Sequence, residues 1–384
     1  MLTSRISFIS FKKKSSTKQT KKKLKKILSE KNQILNSLSA NYKNKFNIKN
    51  LKKLKNFKNF RVIGMGGSSL GTQAIYDFLN HKVKKNFNFI DYLQPKVKND
   101  EKRKFANLVV SKSGETIETI ANLSVLIKKN DTNIFITENN NNYLNLLAKK
   151  LKAEIIHHNN YIGGRYSVLS EVGMLPAELM GLNSNNFKQL NYLVKNKKFL
   201  NALVSNVAST LYFIKNKKFN SVILNYDQKS ESLFNWYQQL IAESLGKKKK
   251  GLMPIVSNMP KDNHSVMQLY LDGFQNNFFT FFYVKENISD KINSNNILTS
   301  KNFLKNKKLS SILYAQHKAT KNVFNRKNIP FRSFEIKARD EQSLGELFCF
   351  FILETILLGK SLNLNPYDQP AVELIKKETS KILI

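Results

Sequence analysis

Two loops rich in glycine and serine constrain this chain more than anything else in it. Residues 60–63 read as a short buried strand that runs into G-M-G-G-S-S-L-G at 64–71, followed by helical spacing as far as Leu79. Residues 109–119 read V-V-S-K-S-G-E-T-I-E-T: again an apolar run, a polar loop and a helix start. A buried strand that ends in such a loop and enters a helix makes an anion trap. The first backbone N–H groups of the helix are unpaired, and its dipole favours negative charge. Ser111, Ser113 and Thr116 add hydroxyl donors, and glycine lets the backbone come close to a ligand. Each loop also has an ordinary reading. Ser113 with Thr116 suits a helix cap. The first loop departs from G-x-G-x-x-G, which needs glycine where Ser69 stands. No acidic residue follows a clear second strand either, so a dinucleotide-dependent dehydrogenase is disfavoured.

Strand-like runs at 88–92, 108–110 and 133–137, with a turn at 139–142 and a helix over 143–151, set these loops in an alternating β/α pattern. Residues 185–218 read as mostly helical. The alternation then resumes with strands at 219–225, 253–256, 278–284 and 331–336, an amphipathic helix over 231–245 and a long helix over 344–358. A Pro-bounded loop enters a last helix. The pattern predicts an α/β chain of two doubly wound parallel-sheet subdomains at 50–185 and 186–384. They are preceded by a basic, helical N-terminal arm at 1–49, where Leu24, Ile27, Leu28 and Leu35 carry helical spacing over 21–38.

With 384 residues, 41% of them hydrophobic, the chain can bury the core of about two domains. Lys plus Arg number 64 against 27 acidic residues, a formal charge of +37 that by itself suggests nucleic acid. The excess is mostly lysine, spread through the chain with asparagine and isoleucine in the manner of A/T-rich coding. Lysine lacks the bidentate fork of arginine, and no nucleic-acid motif is present, so no specific nucleic-acid partner is expected. The single cysteine, Cys349, excludes an internal disulfide, fits a reducing compartment and reads as a core residue. The apolar stretch 347–358 is interrupted by Glu354 and Thr355 and is too short to span a membrane. The first residues are basic, without an apolar core and cleavage site. A cytoplasmic protein with no membrane attachment is expected.

Arg165 stands directly after two glycines in G-G-R-Y-S-V-L-S-E-V-G, where a guanidinium can face a phosphate or a developing oxyanion; a surface salt bridge is the plain alternative. The lysine tract 247–250 reads as a solvated turn, or as a charge that steers anions. His157 and His158 read as part of a polar loop. With His81 and His317, they are expected to be surface or structural.

Six segments, in order from residue 64 to 376, resemble the phosphoglucose isomerase family: G-M-G-G-S-S-L-G, S-K-S-G-E-T-x-E-T, G-G-R-Y-S-V, Q-L-I-A-E-S-L-G-K, D-N-H-S-V-M-Q-L-Y-L-D-G and N-P-Y-D-Q-P-A-V-E-L-I-K. The resemblance implies two sugar-isomerase subdomains, each an α/β/α sandwich. It also implies a homodimer that works without metal or cofactor and interconverts glucose 6-phosphate and fructose 6-phosphate through a cis-enediol. It puts the phosphate cradle on Ser111, Lys112, Ser113 and Thr116, with Gly67 and Ser68 lining the site. It makes Glu243 the base, a role that suits a carboxylate whose pKa partial desolvation lifts towards neutrality. Arg165 would stabilise the enediolate and hold water away. His264 would open the sugar ring from across the dimer interface. Lys376 would be its partner, and Gln369 a sugar or phosphate ligand. One departure is Glu115, where relatives carry threonine. An acid beside a phosphate repels it unless it points away, and Lys112 is placed to compensate. Metal-dependent hydride-shifting isomerases are disfavoured, because no His/Asp/Glu ligand cluster is visible in the sequence.

Three alternatives stay open: a regulatory sugar-phosphate-binding protein on the same fold, a nucleic-acid-binding protein favoured by charge alone, and an isomerase that also takes mannose 6-phosphate. The joint presence of Glu243, His264 and Lys376 argues against the first.

Overall fold

A computed structural model describes every residue except 1, 14, 15, 48, 50, 97–103 and 129. Its strands, in chain order, are β1 (Ile6–Ile9), β2 (Asn59–Ile63), β3 (Asn86–Ile90), β4 (Phe105–Val110), β5 (Thr132–Glu138), β6 (Glu154–His158), β7 (Asn220–Asn225), β8 (Met253–Asn258), β9 (Asn277–Val284) and β10 (Phe331–Ile336). Parallel strands covered on both faces need near-continuous apolar runs. Accordingly β4 is buried from Ala106 to Val110, and all eight residues of β9 are buried. The first sheet has the order β3-β2-β4-β5-β6 and is parallel throughout. The second has the order β1-β10-β9-β7-β8, with four parallel strands and β1 antiparallel at its edge.

The strands expected from sequence are all present, within a few residues. Four differences stand out. β1 and β6 were not expected, and β6 holds His157 and His158, which therefore are not in a loop. The N-terminal region is more than a helical arm: besides β1, its Leu2, Phe11, Leu24 and Ile27 are buried in the main core. The helix expected over 21–38 is two helices, Lys18–Ser29 and Gln33–Ser37. Asn32 breaks it by accepting the Ile34 amide at 2.8 Å, since its short amide competes with helical hydrogen bonds and serves as a cap. A helix at Leu309–Arg326 was also unforeseen.

The long helix Glu341–Ser361 is buried without interruption from Ser343 to Gly359. It is apolar and long enough to cross a membrane, yet 94% of its apolar window is buried inside the protein. Phe348 packs edge-on against Trp236 at 4.9 Å. The polar break at Glu354 is explained by Arg332, whose guanidinium holds the Glu354 carboxylate and donates to Thr280 at 2.9 Å. Cys349 is a core residue, its thiol pushed up to about 12 by burial.

Two features of this architecture position the site. In the first sheet the chain leaves β2 towards β3 and returns on the other side to β4. The C-terminal ends of β2 and β4 therefore flank a switch point, where open α/β sheets bind ligands. The two glycine/serine loops leave the sheet there. Second, the helix Glu231–Leu245 lies antiparallel to the helix Leu70–Phe78. Ser232 donates to Asp77 at one end of the pair, and Gln239 lies against Gly66 at the other. A helix of the second half thus delivers its C-terminal turn to the crevice of the first. The equivalent switch point of the second sheet, between β7 and β9, is filled by Arg339, which bonds Asp227 at 2.6 and 3.1 Å and Glu286 at 3.1 Å.

Candidate active site

The centre of the site is Arg165, with 1% of its side chain exposed. It lies in the short 3-10 segment Gly164–Leu169, which the Gly66–Ser68 turn touches directly. A Cβ on Gly67 would fall 2.2 Å from the Gly164 carbonyl carbon and 2.5 Å from the Arg165 nitrogen, so only glycine lets these backbones meet. The backbone carbonyl of Arg165 accepts from Trp236 Nε1 at 3.0 Å. All the guanidinium nitrogens are engaged. Nε donates to Ser244 Oγ at 2.8 Å, Nη1 to Glu243 Oε2 at 3.1 Å and Gln369 Oε1 at 2.7 Å, and Nη2 to the Pro366 and Asp368 carbonyls at 2.8 and 3.1 Å. Tyr166, whose hydroxyl burial pushes up, donates to the same Pro366 carbonyl at 2.9 Å and lies 2.9 Å from Ser244 Oγ. The surface-salt-bridge reading of Arg165 therefore fails: the residue is a buried hub.

Glu243 is 27% exposed. Its other oxygen, Oε1, accepts from Gln239 Nε2 at 2.8 Å, one helical turn earlier. Two donors thus fix the rotation of the carboxylate. The Oε1 atom of Gln239 is buried and has no partner among the described residues. Gln369 is exposed apart from its bond to Arg165.

The serine loop is adjacent, because Gly64 is backed against the Val110 carbonyl: a Cβ there would lie 2.8 Å from it. Ser111 Oγ lies 2.9 Å from Thr116 Oγ1 and accepts the Gly114 amide at 3.2 Å. Thr116 occupies the N-cap position of the helix Ile117–Leu126 but makes no side-chain cap bond, and Ser113 instead accepts the Glu115 amide at 3.3 Å. The capping explanation of these hydroxyls is therefore not what the loop adopts. Gly114, at φ +72°, packs against Asn142. Glu115 points away, its carboxylate accepting the Tyr143 amide at the start of the next helix at 2.7 Å. Lys112 does not compensate it; its ammonium pairs with Glu138 at 3.2 Å.

The structure thus joins Arg165, Glu243 and Gln369 into one bonded cluster against Gly67, with Ser68 in the same turn. It gathers Ser111, Lys112, Ser113 and Thr116 into one loop beside them. His264 and Lys376 belong to neither group. His264 is exposed, and Lys376, 60% exposed, pairs with Glu373 at 2.7 Å. Among the described residues no hydrogen bond or ion pair links either to the Arg165 cluster. The sequence reading missed Gln239, Ser244, Tyr166 and Trp236. Only the i to i+4 spacing of Gln239 and Glu243 on an amphipathic helix offered a signal. It also missed Lys247. This residue is not solvated: it is 11% exposed, and its ammonium lies 2.6 Å from Asp368, whose carboxyl it holds below its usual value by hydrogen bonding. Of the remaining histidines, His158 and His317 are buried and structural. His158 bonds the Ile162 carbonyl at 2.9 Å, and His317 stacks on Tyr283.

A carboxylate clamped by a buried arginine, beside a hydroxyl-rich loop at the switch point of a doubly wound sheet, is the arrangement that the resemblance to isomerases of phosphorylated sugars implies. The phosphoglucose isomerase family model matches residues 14–384, and the chain belongs to that family. The glucose-6-phosphate isomerase of Methanocaldococcus jannaschii is 31% identical, over 82% of this chain and 82% of its own. That of Mycoplasmopsis pulmonis is 32% identical, over 84% and 82%. Among solved structures, a hypothetical protein of Thermus thermophilus matches with a TM-score of 0.82 at 23% identity, over 96% of this chain and 94% of that one. A glucose-6-phosphate isomerase of Chlamydia trachomatis matches at 0.71 and 18%, over 87% and 71%. These two establish the sugar-isomerase fold.

Proposed function

We infer that the chain interconverts glucose 6-phosphate and fructose 6-phosphate, a step of glycolysis and gluconeogenesis, with Glu243 as the base. The observation that carries this reading is the buried Arg165 guanidinium, which holds Glu243 on one side and Gln369 on the other. Glu243 takes the proton from C2 of the open-chain aldose. The C–H electron pair becomes the C1–C2 double bond, and the carbonyl pair moves onto O1. The O2 proton passes to O1. Glu243 then returns its proton to C1 as the O2 pair closes the ketone at C2. Since every guanidinium nitrogen of Arg165 already has a partner, Arg165 acts as a fixed, desolvated charge rather than as a free donor. Such a charge stabilises the enediolate without reorganisation. The phosphate is held by Ser111, Ser113 and Thr116, the first amides of the helix Ile117–Leu126, and the Gly67–Ser68 backbone. Lys112 joins them by leaving Glu138.

His264 and Lys376 open the ring in a homodimer, with His264 supplied by a second copy. Support comes from the exposure of His264 and from the C-terminal helix Val372–Leu383, which has no buried residue and leaves Ile375, Ile382 and Leu383 exposed. The free thiol of Cys349 fits a cytoplasmic location.

A coupled assay for glucose 6-phosphate formed from fructose 6-phosphate, run with a chelator, tests the reaction. Glu243→Gln is expected to lower kcat by about 10²–10⁴-fold, the range for a general base. A folded wild type that binds sugar phosphate without turnover would move the assignment to a regulatory binding protein. For the dimer, mixing Glu243→Gln with His264→Asn subunits is expected to restore activity, because one site of the heterodimer then holds an intact Glu243 and an intact His264. No recovery in a confirmed heterodimer would put His264 in its own subunit's site.

A further inference from the structure

We propose that Lys247 is a positioning residue for this reaction, resting on the reading of Glu243 and Arg165 above: it clamps the 362–369 loop to the C-terminal end of the helix that carries the base. Lys247 follows the helix Glu231–Leu245 by two residues and stands four after Glu243. The chain then reverses tightly, with Lys247 bridged to Lys250 and with Lys248 and Lys249 at φ +52° and +57°. That reversal turns two lysines onto one loop. Lys247 Nζ lies 2.6 Å from Asp368 Oδ1 and also donates to the Asn365 carbonyl, and Lys250 Nζ donates to the Leu362 carbonyl at 3.2 Å. Asn365 Nδ2 braces the same carboxylate at 2.9 Å.

The loop is gripped from its other side by Arg165, through the Pro366 and Asp368 carbonyls and the Gln369 side chain. One short segment therefore lies between two cations. Arg165 is the inner one and also holds the base; Lys247 is the outer one and stands two residues beyond the helix that carries the base. Among the described residues the Lys247 ammonium bonds only to the loop, so its effect passes through Arg165 and Gln369. The pair contributes little to stability, because Asp368 is 53% exposed and an ion pair in contact with water gains little over hydration of its two charges. Geometry is another matter: a displacement of about 1 Å at a reacting centre can cost about 10²-fold in rate. The alternative role for a lysine near this site is to attract the anionic substrate. The two roles predict opposite behaviour for the partner carboxylate, since removing Asp368 loosens a clamp but frees an attracting charge.

The test compares Lys247→Met, Lys247→Arg, Asp368→Asn and the Lys247→Met/Asp368→Asn double variant, with Glu243→Gln as reference, in the coupled assay at low and high salt. Lys247→Met and Asp368→Asn are each expected to lower kcat about tenfold, with KM within about twofold and the melting temperature nearly unchanged. The double variant should be no worse than either single. Lys247→Arg should recover most of kcat, and the loss should persist in high salt, which screens long-range attraction. Three results overturn the proposal: kcat within twofold of wild type in Lys247→Met; losses that add in the double variant; or a defect confined to kcat/KM at low salt with Asp368→Asn as active as wild type or more so. A Glu243→Gln enzyme that retains activity would instead sink the underlying assignment of the base. The two failures are therefore distinguishable.

Discussion

Replacing Arg165 by methionine tests whether a fixed charge drives the chemistry. The change removes five hydrogen bonds and one buried cation. Breaking a fully buried ion pair costs about 3–5 kcal/mol. Here the group left behind, Glu243, keeps 27% exposure and its bond from Gln239, so water takes up much of that penalty. Ser244 Oγ and the Pro366 carbonyl keep Tyr166 as a partner. Asp368 and Gln369 are exposed and turn to water, so what remains is about the worth of a single charge-assisted bond, about 1.5–3 kcal/mol of stability. Losing a preorganised group at the developing oxyanion costs about 10²–10³ in kcat, or ~2.7–4 kcal/mol. Catalysis should therefore suffer more than folding. In urea unfolding Arg165→Met should remain cooperative with a lower midpoint, while kcat in the coupled assay falls at least a hundredfold. Arg165→Lys keeps the charge but at most three donors, and should recover about tenfold over methionine if charge is the main contribution. A folded Arg165→Met enzyme within tenfold of wild-type kcat would refute the charge-stabilisation mechanism. So would a lysine variant no better than methionine.

Two other substitutions probe the frame around the site. Lys188 is buried beneath the segment that carries Arg165, with its ammonium on the Ser37 carbonyl at 2.7 Å and on the Leu169 carbonyl, over the Tyr42 ring and near Glu171; burial lowers its pKa from 10.5 to about 7. The unfolded chain thus binds the extra proton between pH 7 and 10.5, and wild-type stability rises with pH through that window. Measured by urea unfolding, wild type should gain on the order of 4 kcal/mol over Lys188→Met between pH 7 and pH 10.5, and a pH-independent difference would contradict it. Gly67→Ala would set a methyl 2.2 Å from the Gly164 backbone. It should cost about 1–3 kcal/mol of stability through overpacking and at least tenfold in kcat/KM, because the anion turn and Arg165 are forced apart; wild-type kinetics in this variant would show that the contact carries no constraint.

Much of the fold was legible because its signals are local. A parallel strand covered on both faces must be apolar along its length, and a loop that binds anions at a helix start must be small and hydroxylated, so β2, β4, β9 and both loops can be read in a single window. β1 escaped because a four-residue edge strand has no pattern of its own, and its burial depends on β10, more than 300 residues later. β6 escaped because His157 and His158 look polar, although His158 is buried against the Ile162 carbonyl. The site divides in the same way. Residue identities and order, through the family resemblance, implied which side chains are the candidates. Arg165 meets Gln369 across 204 positions, Lys247 meets Asp368 across 121, and Glu243 reaches the first-half crevice only because two helices pack antiparallel. The sequence alone determined eight of the ten strands, the two glycine/serine loops and the chemical types of the candidate site residues, since each rests on propensity or spacing within a few turns. Only the tertiary structure decided which charges are buried, which are paired and which face the base, because desolvation and pairing depend on neighbours that chain connectivity does not bring together.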